Sequence, residues 1–209
     1  MTPIAPALQA ETERLAHLAA DYDGLVAKLA ALGAGRRAPQ VGQHFPGFAL
    51  PDAAGRFHTL AELLAPGTPL VISFHRGLWC PWCRVESAAW GDAAEALAAA
   101  GSRLITISAE LAGQGTALAT RAGGLGLVDV DLGLCLALGL VISIPAELAA
   151  TYREGGDDLA ALFGGSGRLL PIPATYLLDG GGVVRFAFVD PDFRRRAEPA
   201  AVIAALGSA

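Results

Sequence analysis

The apolar run "PLVISF", Pro69 to Phe74, passes within six residues into Cys80-Pro81, and this junction constrains the fold more than any other part of the chain. A run without polar alternation is what a strand buried on both faces requires. Pro81 suits the first position of a helix, where its missing N–H costs nothing. The junction therefore predicts a buried strand, a short loop, and a helix from about Cys80 to Ala100, with Cys80 as N-cap and Gly101 as stop signal. The pattern then repeats. "RLITIS" (Arg103 to Ser108) reads as a second buried strand, "ALATRAG" as helix, and a short strand near Val128 precedes a helical turn holding Cys135. Residues 143 to 170 read as irregular or as short helices. "ATYLLD", the turn "GGG" and "VVRFAFV" predict a hairpin, and "EPAAVIAAL" a last helix with Pro199 in its first turn. A further short hairpin, Phe48 to Leu50 and Phe57 around Pro51, Asp52 and Gly55, lies upstream. Strand–helix–strand units closed by a hairpin and a helix define an α/β sandwich around a mixed central sheet.

The first forty residues differ. Leu8, Leu15, Tyr22 and Leu29 recur every seven residues, with Leu18, Leu25 and Leu32 interleaved, so one long helix with a narrow apolar seam is predicted. Such a seam serves either to pack the helix on its own domain or to make a homodimer contact. "GAGRRAPQVGQ" follows as a linker, so residues 1–40 form a helical extension and linker and residues 41–209 the domain.

A chain of 209 residues holds one good core. Its net charge of -5 gives no basic surface for nucleic acid or anionic membrane. The longest charge-free run, "LGLCLALGLVISIPA", falls short of the roughly 20 apolar residues of a spanning helix. The start shows no positive segment followed by an apolar one, so no secretory signal is expected. Three cysteines make no disulfide framework, and a reducing, cytoplasmic setting is expected.

Cys80 and Cys83 stand three apart at the predicted helix start, on one face, where their sulfurs can approach bonding distance. Free N–H groups and the positive dipole end favour a thiolate there, and Cys80, as N-cap, is expected to gain more than Cys83. Arg76 adds positive potential from the loop, whereas His75 reads as a packed or solvated ring. Structural zinc would need a second ligand pair, and His17, His44, His58, His75 and Cys135 contain none at suitable spacing. No metal or cofactor is expected. Inert core thiols are the plain alternative; a helix start flanked by Trp79, Pro81 and Trp82 favours redox chemistry. The two tryptophans are expected to line the mouth of the site, Cys135 to be a small core residue, and Arg194, Arg195 and Arg196 a solvated loop.

"WCPWC" after an apolar strand resembles the W-C-x-x-C motif of thioredoxin-fold proteins, and "IPATYLLDGGG" resembles the segment whose cis-proline faces the cysteines, which would make Pro173 that residue. "VGQHFPGFALPDAAGRFHTLAELLAPGTPLVISF", with "FHRGLWCPWCRVE", "LPIPATYLLD" and "RFAFVDPDFRRRAEP", is similar to a peroxiredoxin-like subgroup of the alkyl hydroperoxide reductase/thiol-specific antioxidant family, from Val41 onward. The resemblance implies a thioredoxin-like sandwich and reduction of hydrogen peroxide or alkyl hydroperoxides through a Cys80–Cys83 disulfide. A dithiol donor of thioredoxin or glutathione type would reduce it. In the family's P-x-x-x-T-x-x-C register Cys83 attacks the peroxide and Glu86 matches a following glutamate. Arg76 then replaces the proline, Cys80 the threonine, and Pro173 lies near the family's arginine, leaving Arg76 and the helix amides to stabilise charge. In the thioredoxin register Cys80 attacks a disulfide and Cys83 resolves it, giving a thiol–disulfide oxidoreductase. A non-enzymatic redox sensor or interaction protein using the N-terminal helix is the third reading.

Overall fold

The computed structural model describes residues 1–65, 67–111 and 113–207. The chain opens with helix α1 (Ala5–Arg14), a 3-10 turn (Ala16–Leu18) and helix α2 (Ala19–Ala31), not the single long helix that the heptad spacing predicts. The tighter turn winds at about three residues per turn and so resets the phase of the apolar face. Leu8, Leu18, Tyr22, Leu25 and Leu29 are buried, Leu15 is half-buried, and Leu32, past the end of α2, is 73% exposed. The five buried residues join the same core as the central sheet. Of the two uses open to the seam, the structure takes the intramolecular one.

The upstream hairpin pairs β1 (Ala49–Pro51) antiparallel with β2 (Phe57–Thr59). A capping box between Thr59 and Glu62 then starts α3 (Leu60–Leu64). The strand–helix junction follows as predicted, with β3 at Leu70–Phe74 and α4 at Pro81–Ala99. Gly101 stops α4 in a left-handed conformation, φ 75°. Its N–H reaches Ala98 O and that of Ser102 reaches Leu97 O, which satisfies the terminal carbonyls. Next come β4 (Arg103–Ser108), α5 (Gln114–Ala122), β5 (Leu125–Val128) and α6 (Gly133–Ala137), which carries Cys135. The stretch read as irregular or as short helices does hold two short helices, and it adds two strands that were not expected. It holds β6 (Val141–Ser143), α7 (Ala146–Glu154), α8 (Leu159–Phe163) and β7 (Leu169–Pro171), with β6 antiparallel to β7 through Ile142 opposite Leu170. Strands of three residues whose partner lies far along the chain carry no readable period. The closing hairpin, β8 (Ala174–Leu178) and β9 (Val184–Val189), and helix α9 (Pro199–Leu206) complete the order.

The main sheet runs β5-β4-β3-β8-β9; β3, β4 and β5 are parallel to one another, and β8 is antiparallel to both β3 and β9. Alternate residues of the central strand point to opposite faces. Leu70, Ile72 and Phe74 enter the larger core with Ile105, Ile107 and Tyr176. Val71 enters a second cluster with Trp90, Ala93 and Leu97 of α4 and Val202 of α9. Both faces are covered, which explains the unbroken apolar run in the sequence. Ser73 shares the face of Val71, so the β3 end that leads into the cysteine loop carries a hydroxyl toward α4.

Candidate active site

The loop from His75 to Trp79 joins the end of β3 to α4 and is tied to itself. Trp79 Nε1 donates to Arg76 O at 2.8 Å, and Arg84 Nη1 donates to the carbonyls of Leu78 and Trp79, each at 3.0 Å. Gly77 sits at φ 130°, and a Cβ there would collide with the Glu110 carboxyl. Only glycine fits this bend. Glu110, just after β4, accepts the Leu78 N–H at 2.7 Å and clamps the loop from the far side.

Cys80 is the residue before α4, with Pro81 at its first position. Its side chain makes no capping hydrogen bond; its carbonyl accepts the N–H groups of Cys83 and Arg84 at 3.1 Å, and its own N–H donates to Gly77 O at 3.2 Å. The expectation that Cys80 collects the helix amides is therefore incorrect. Cys83, one turn on, is the sulfur that gathers donors: the Arg76 N–H at 3.3 Å and Arg196 Nη2 at 3.4 Å. Burial alone would raise the Cys83 pKa, but hydrogen bonding from Cys80, the charge of Arg196 and the neighbouring His75 carry it well below the usual thiol range. Burial, and then the adjacent Cys83 sulfur, push Cys80 well above it. The two thiols form a donor–acceptor pair in which the surroundings favour ionisation of Cys83 over Cys80.

Three residues past Cys83, Glu86 shares its helix face. Its Oε1 accepts from Ser73 Oγ at 2.9 Å and Thr175 Oγ1 at 3.3 Å, and its Oε2 lies 2.7 Å from Arg196 Nε and 3.6 Å from His75 Nδ1. Arg196 thus bridges Cys83 and Glu86, and its Nη1 donates to the carbonyls of Phe193 and Arg195. The reading of Arg194 to Arg196 as a solvated run holds for the exposed Arg195 and fails for Arg196, which is 7% exposed and points inward. Residue types alone could not show this; the signal was a carboxylate at Glu86 on the buried face of a helix, which requires a cation from somewhere in the chain. His75, expected to be packed or solvated, is fully buried; Glu86 and Cys83 raise its pKa against the opposing effect of burial.

Arg76 is fully buried, and none of its three guanidinium nitrogens has a hydrogen-bond partner. It stacks instead between Trp79, 4.8 Å from the ring centroid, and Phe193, at 4.2 Å. Pro173 directly precedes β8, whose first residue, Ala174, stands opposite Phe74 at the end of β3. Cys135 lies on α6, where the Asp129 carboxylate accepts the N–H groups of Leu134 and Cys135. Burial and that carboxylate hold its thiol protonated.

The site is closed. Cys80 and Cys83 are both 0% exposed, and all three cysteines are free thiols. Trp79 is half-buried, as a residue at a mouth would be, but Trp82 is only 2% exposed and does not line one. Its ring packs edge-on to Tyr22 of α2 at 5.7 Å and to Phe193 at 5.4 Å, and its Nε1 donates to Thr12 Oγ1 of α1 at 3.2 Å. The N-terminal helices pack over Trp82, between the two cysteines in the chain, a placement that no motif near the cysteines could signal.

Glu110 supplies a pH test of this geometry. Burial pushes its carboxyl pKa up to about 7, against the Leu78 N–H that lowers it. A raised folded-state pKa contributes stability at acid pH that is lost as pH climbs from the unfolded value toward 7. Glu110→Gln mimics the protonated form and still accepts the Leu78 N–H. Relative to wild type it should gain about 3 kcal/mol of unfolding free energy between about pH 4.5 and pH 8, read by denaturant melts at each pH.

The AhpC/TSA family model matches residues 41–187, well over half of the chain. No curated protein matches at a significant level. Among solved structures, peroxidoxin BcpB of Mycobacterium tuberculosis aligns with a TM-score of 0.61 at 19% identity, covering 81% of this chain and 97% of that one. Reduced Prx3 of Vibrio vulnificus aligns with a TM-score of 0.62 at 22% identity, covering 80% and 98%. Peroxiredoxin Q of Xanthomonas campestris gives 0.56 at 21%, covering 77% and 90%. These likenesses carry the fold, a thioredoxin-like sandwich, and the family match carries the chemistry: the chain belongs to the AhpC/TSA family and is a peroxiredoxin-like thiol peroxidase.

Proposed function

We propose that the protein reduces hydrogen peroxide or alkyl hydroperoxides with Cys83 as the attacking thiolate and Cys80 as the resolving thiol. The resulting Cys80–Cys83 disulfide is reopened by a thioredoxin-type or glutathione-type dithiol donor, in a reducing compartment such as the cytoplasm. One observation carries the reading: the Cys83 sulfur accepts both the Arg76 amide and the Arg196 guanidinium, whereas Cys80 has neither. A thiolate so held attacks the distal peroxide oxygen. Arg196, 3.4 Å from that sulfur, would stabilise charge on the departing oxygen, the role that the resemblance gives to an arginine near Pro173. Glu86 fixes the Arg196 fork in register with the sulfur.

One equivalent of hydrogen peroxide, added to reduced protein, should consume two thiols and link Cys80 to Cys83 in a peptide map. Oxidation no faster than that of free cysteine, together with efficient reduction of insulin disulfides, would instead favour the thiol–disulfide oxidoreductase.

Peroxide must reach a covered sulfur. A groove of about 510 Å³ runs between α1 and the segment Phe188 to Glu198, with Thr12 on its wall and Arg196 among its lining residues. Polar contacts hold α1 and α2 over this route. The Glu198 carboxylate accepts the N–H groups of Ile4 and Ala5, and Arg194 pairs with Asp23 at 2.7 Å. Lifting these helices opens the path to Cys83 from the groove side. A charge-assisted latch of this kind is worth about 1.5 kcal/mol, so Glu198→Ala should speed alkylation of Cys83 by iodoacetamide about tenfold. An unchanged rate would mean that access runs elsewhere, past the half-buried Trp79.

A further inference from the structure

Arg76 poses a physical problem that the peroxide step leaves unanswered. A guanidinium removed from water is ordinarily paired, because an unpaired buried charge is costly. Arg76 is fully buried, donates no side-chain hydrogen bond, and rests on the faces of Trp79 and Phe193, with the Tyr152 phenol and the Cys80 and Cys83 sulfurs as its polar neighbours. Arg196, the other buried guanidinium, already has two anionic neighbours in Glu86 and Cys83. Arg76 has no ion-pair partner of its own in the resting dithiol and only shares the field of Cys83 with Arg196.

We propose that Arg76 is a positioning residue for the second half of the reaction, holding Cys80 as a thiolate once Cys83 has taken its oxygen. This rests on the peroxidase reading above and extends it to the resolving step. The Cys83 thiolate attacks the distal oxygen of ROOH; a sulfur–oxygen bond forms, the O–O bond breaks, and the products are Cys83–SOH and RO⁻. The sulfur loses two electrons and the peroxide gains them. At that moment the cluster has lost the thiolate charge that balanced its cations, and Cys80 has lost the anion to which it was donating. The Cys80 proton passes to RO⁻, giving ROH, and the negative charge reappears on Cys80 beside Arg76. That thiolate attacks the Cys83 sulfur, the S–S bond forms, and the hydroxide expelled takes a proton from solvent to leave as water.

The other charged and titratable groups around Cys80 do not supply this charge. On α4 stand Cys83, neutral once oxidised, Glu86, which repels an anion, and Arg84, which is half-buried and turns its guanidinium to the Leu78 and Trp79 carbonyls. Arg196, from the segment before α9, is engaged by Glu86. His75, next to Arg76, faces Glu86 and Cys83. Tyr22 of α2 and Tyr152 of α7 are phenols, and Glu110, behind the loop, is a carboxyl. Arg76 is the fully buried cation in this shell that makes neither an ion pair nor a side-chain hydrogen bond among the described residues.

The test separates the two steps by stopped flow. Peroxide is mixed with reduced full-length protein; the first step is followed by dimedone trapping of Cys83–SOH, and closure by loss of that trappable species. Arg76→Met, which removes a buried unpaired charge and should fold at least as well, is expected to slow closure at least about tenfold more than it slows the peroxide step. Closure should also acquire a pH dependence, rising about tenfold per pH unit as Cys80 ionises unaided, where wild type is flat. Arg76→Lys keeps the charge and should restore the flat profile at a lower rate. A purely structural role for Arg76 would move melting temperature without changing the shape of that profile. Equal slowing of both steps, or closure that stays independent of pH in Arg76→Met, would overturn the proposal. Wild-type protein forming no sulfenate on Cys83 would overturn the peroxidase reading itself, a failure distinct from normal Cys83 oxidation followed by closure indifferent to Arg76.

Discussion

Cys83→Ser should abolish peroxide turnover, by at least about 1,000-fold in second-order rate, while Cys80→Ser should still consume one equivalent of peroxide and then stop. The asymmetry follows from the donors. Cys83 receives the Arg76 amide and the Arg196 guanidinium, and a serine hydroxyl in its place stays protonated at neutral pH however many donors surround it. Cys80 contributes a hydrogen bond to Cys83 that a serine can partly replace. The Cys80→Ser enzyme should therefore oxidise up to about tenfold more slowly and hold its sulfur as a sulfenic acid, with no neighbour to condense with. Dimedone adducts mapped by mass spectrometry distinguish the outcomes: a stable adduct on Cys83 in Cys80→Ser is expected. An adduct on Cys80 in Cys83→Ser, at wild-type rate, would reverse the assignment and restore the thioredoxin register.

The reasons that reversal was conceivable from sequence are instructive. Pro81 and Gly101 mark both ends of α4, because a missing N–H and a left-handed backbone are properties of single residues. Phe74 and the five residues before it declare a doubly covered strand by composition alone. The spacing of Cys80, Cys83 and Glu86 puts the two later residues on one helical face whatever else the chain does. The choice between the sulfurs is of another kind. It depends on which way the Cys80 side chain turns at the cap, and on a cation 113 residues away from Cys83 in the sequence. Arg195 and Arg196 are adjacent and identical in type, yet one is exposed and the other is inside, set by how the segment between β9 and α9 crosses the helix start. Trp82 repeats the lesson. Its burial comes from Tyr22 and Thr12, on helices outside the region that matches the family, so no reading of the motif could foresee a covered site.

Arg196→Met should damage activity and stability together, and a second substitution should separate them. Removing the guanidinium takes from Cys83 a hydrogen bond and the charge that most directly lowers its pKa. The pH at which iodoacetamide half-maximally alkylates Cys83 should move up, and the peroxide rate at neutral pH should fall about 100- to 1,000-fold. It also leaves the Glu86 carboxylate buried with only Ser73 and Thr175 hydroxyls and the His75 ring around it, a loss of about 3–5 kcal/mol in unfolding free energy. Arg196→Met combined with Glu86→Gln removes both charges. Folding stability should then return most of the way, since a neutral amide can still accept from both hydroxyls, whereas the peroxide rate should stay low because nothing has been given back to the sulfur. Arg196→Lys retains a cation but cannot meet Cys83 and Glu86 at once with separate nitrogens of a planar fork, so it should fall between wild type and methionine. If the double variant recovered activity along with stability, Arg196 would be a counter-ion for Glu86 and nothing more, and the low pKa of Cys83 would have to come from Cys80, His75 and the Arg76 amide.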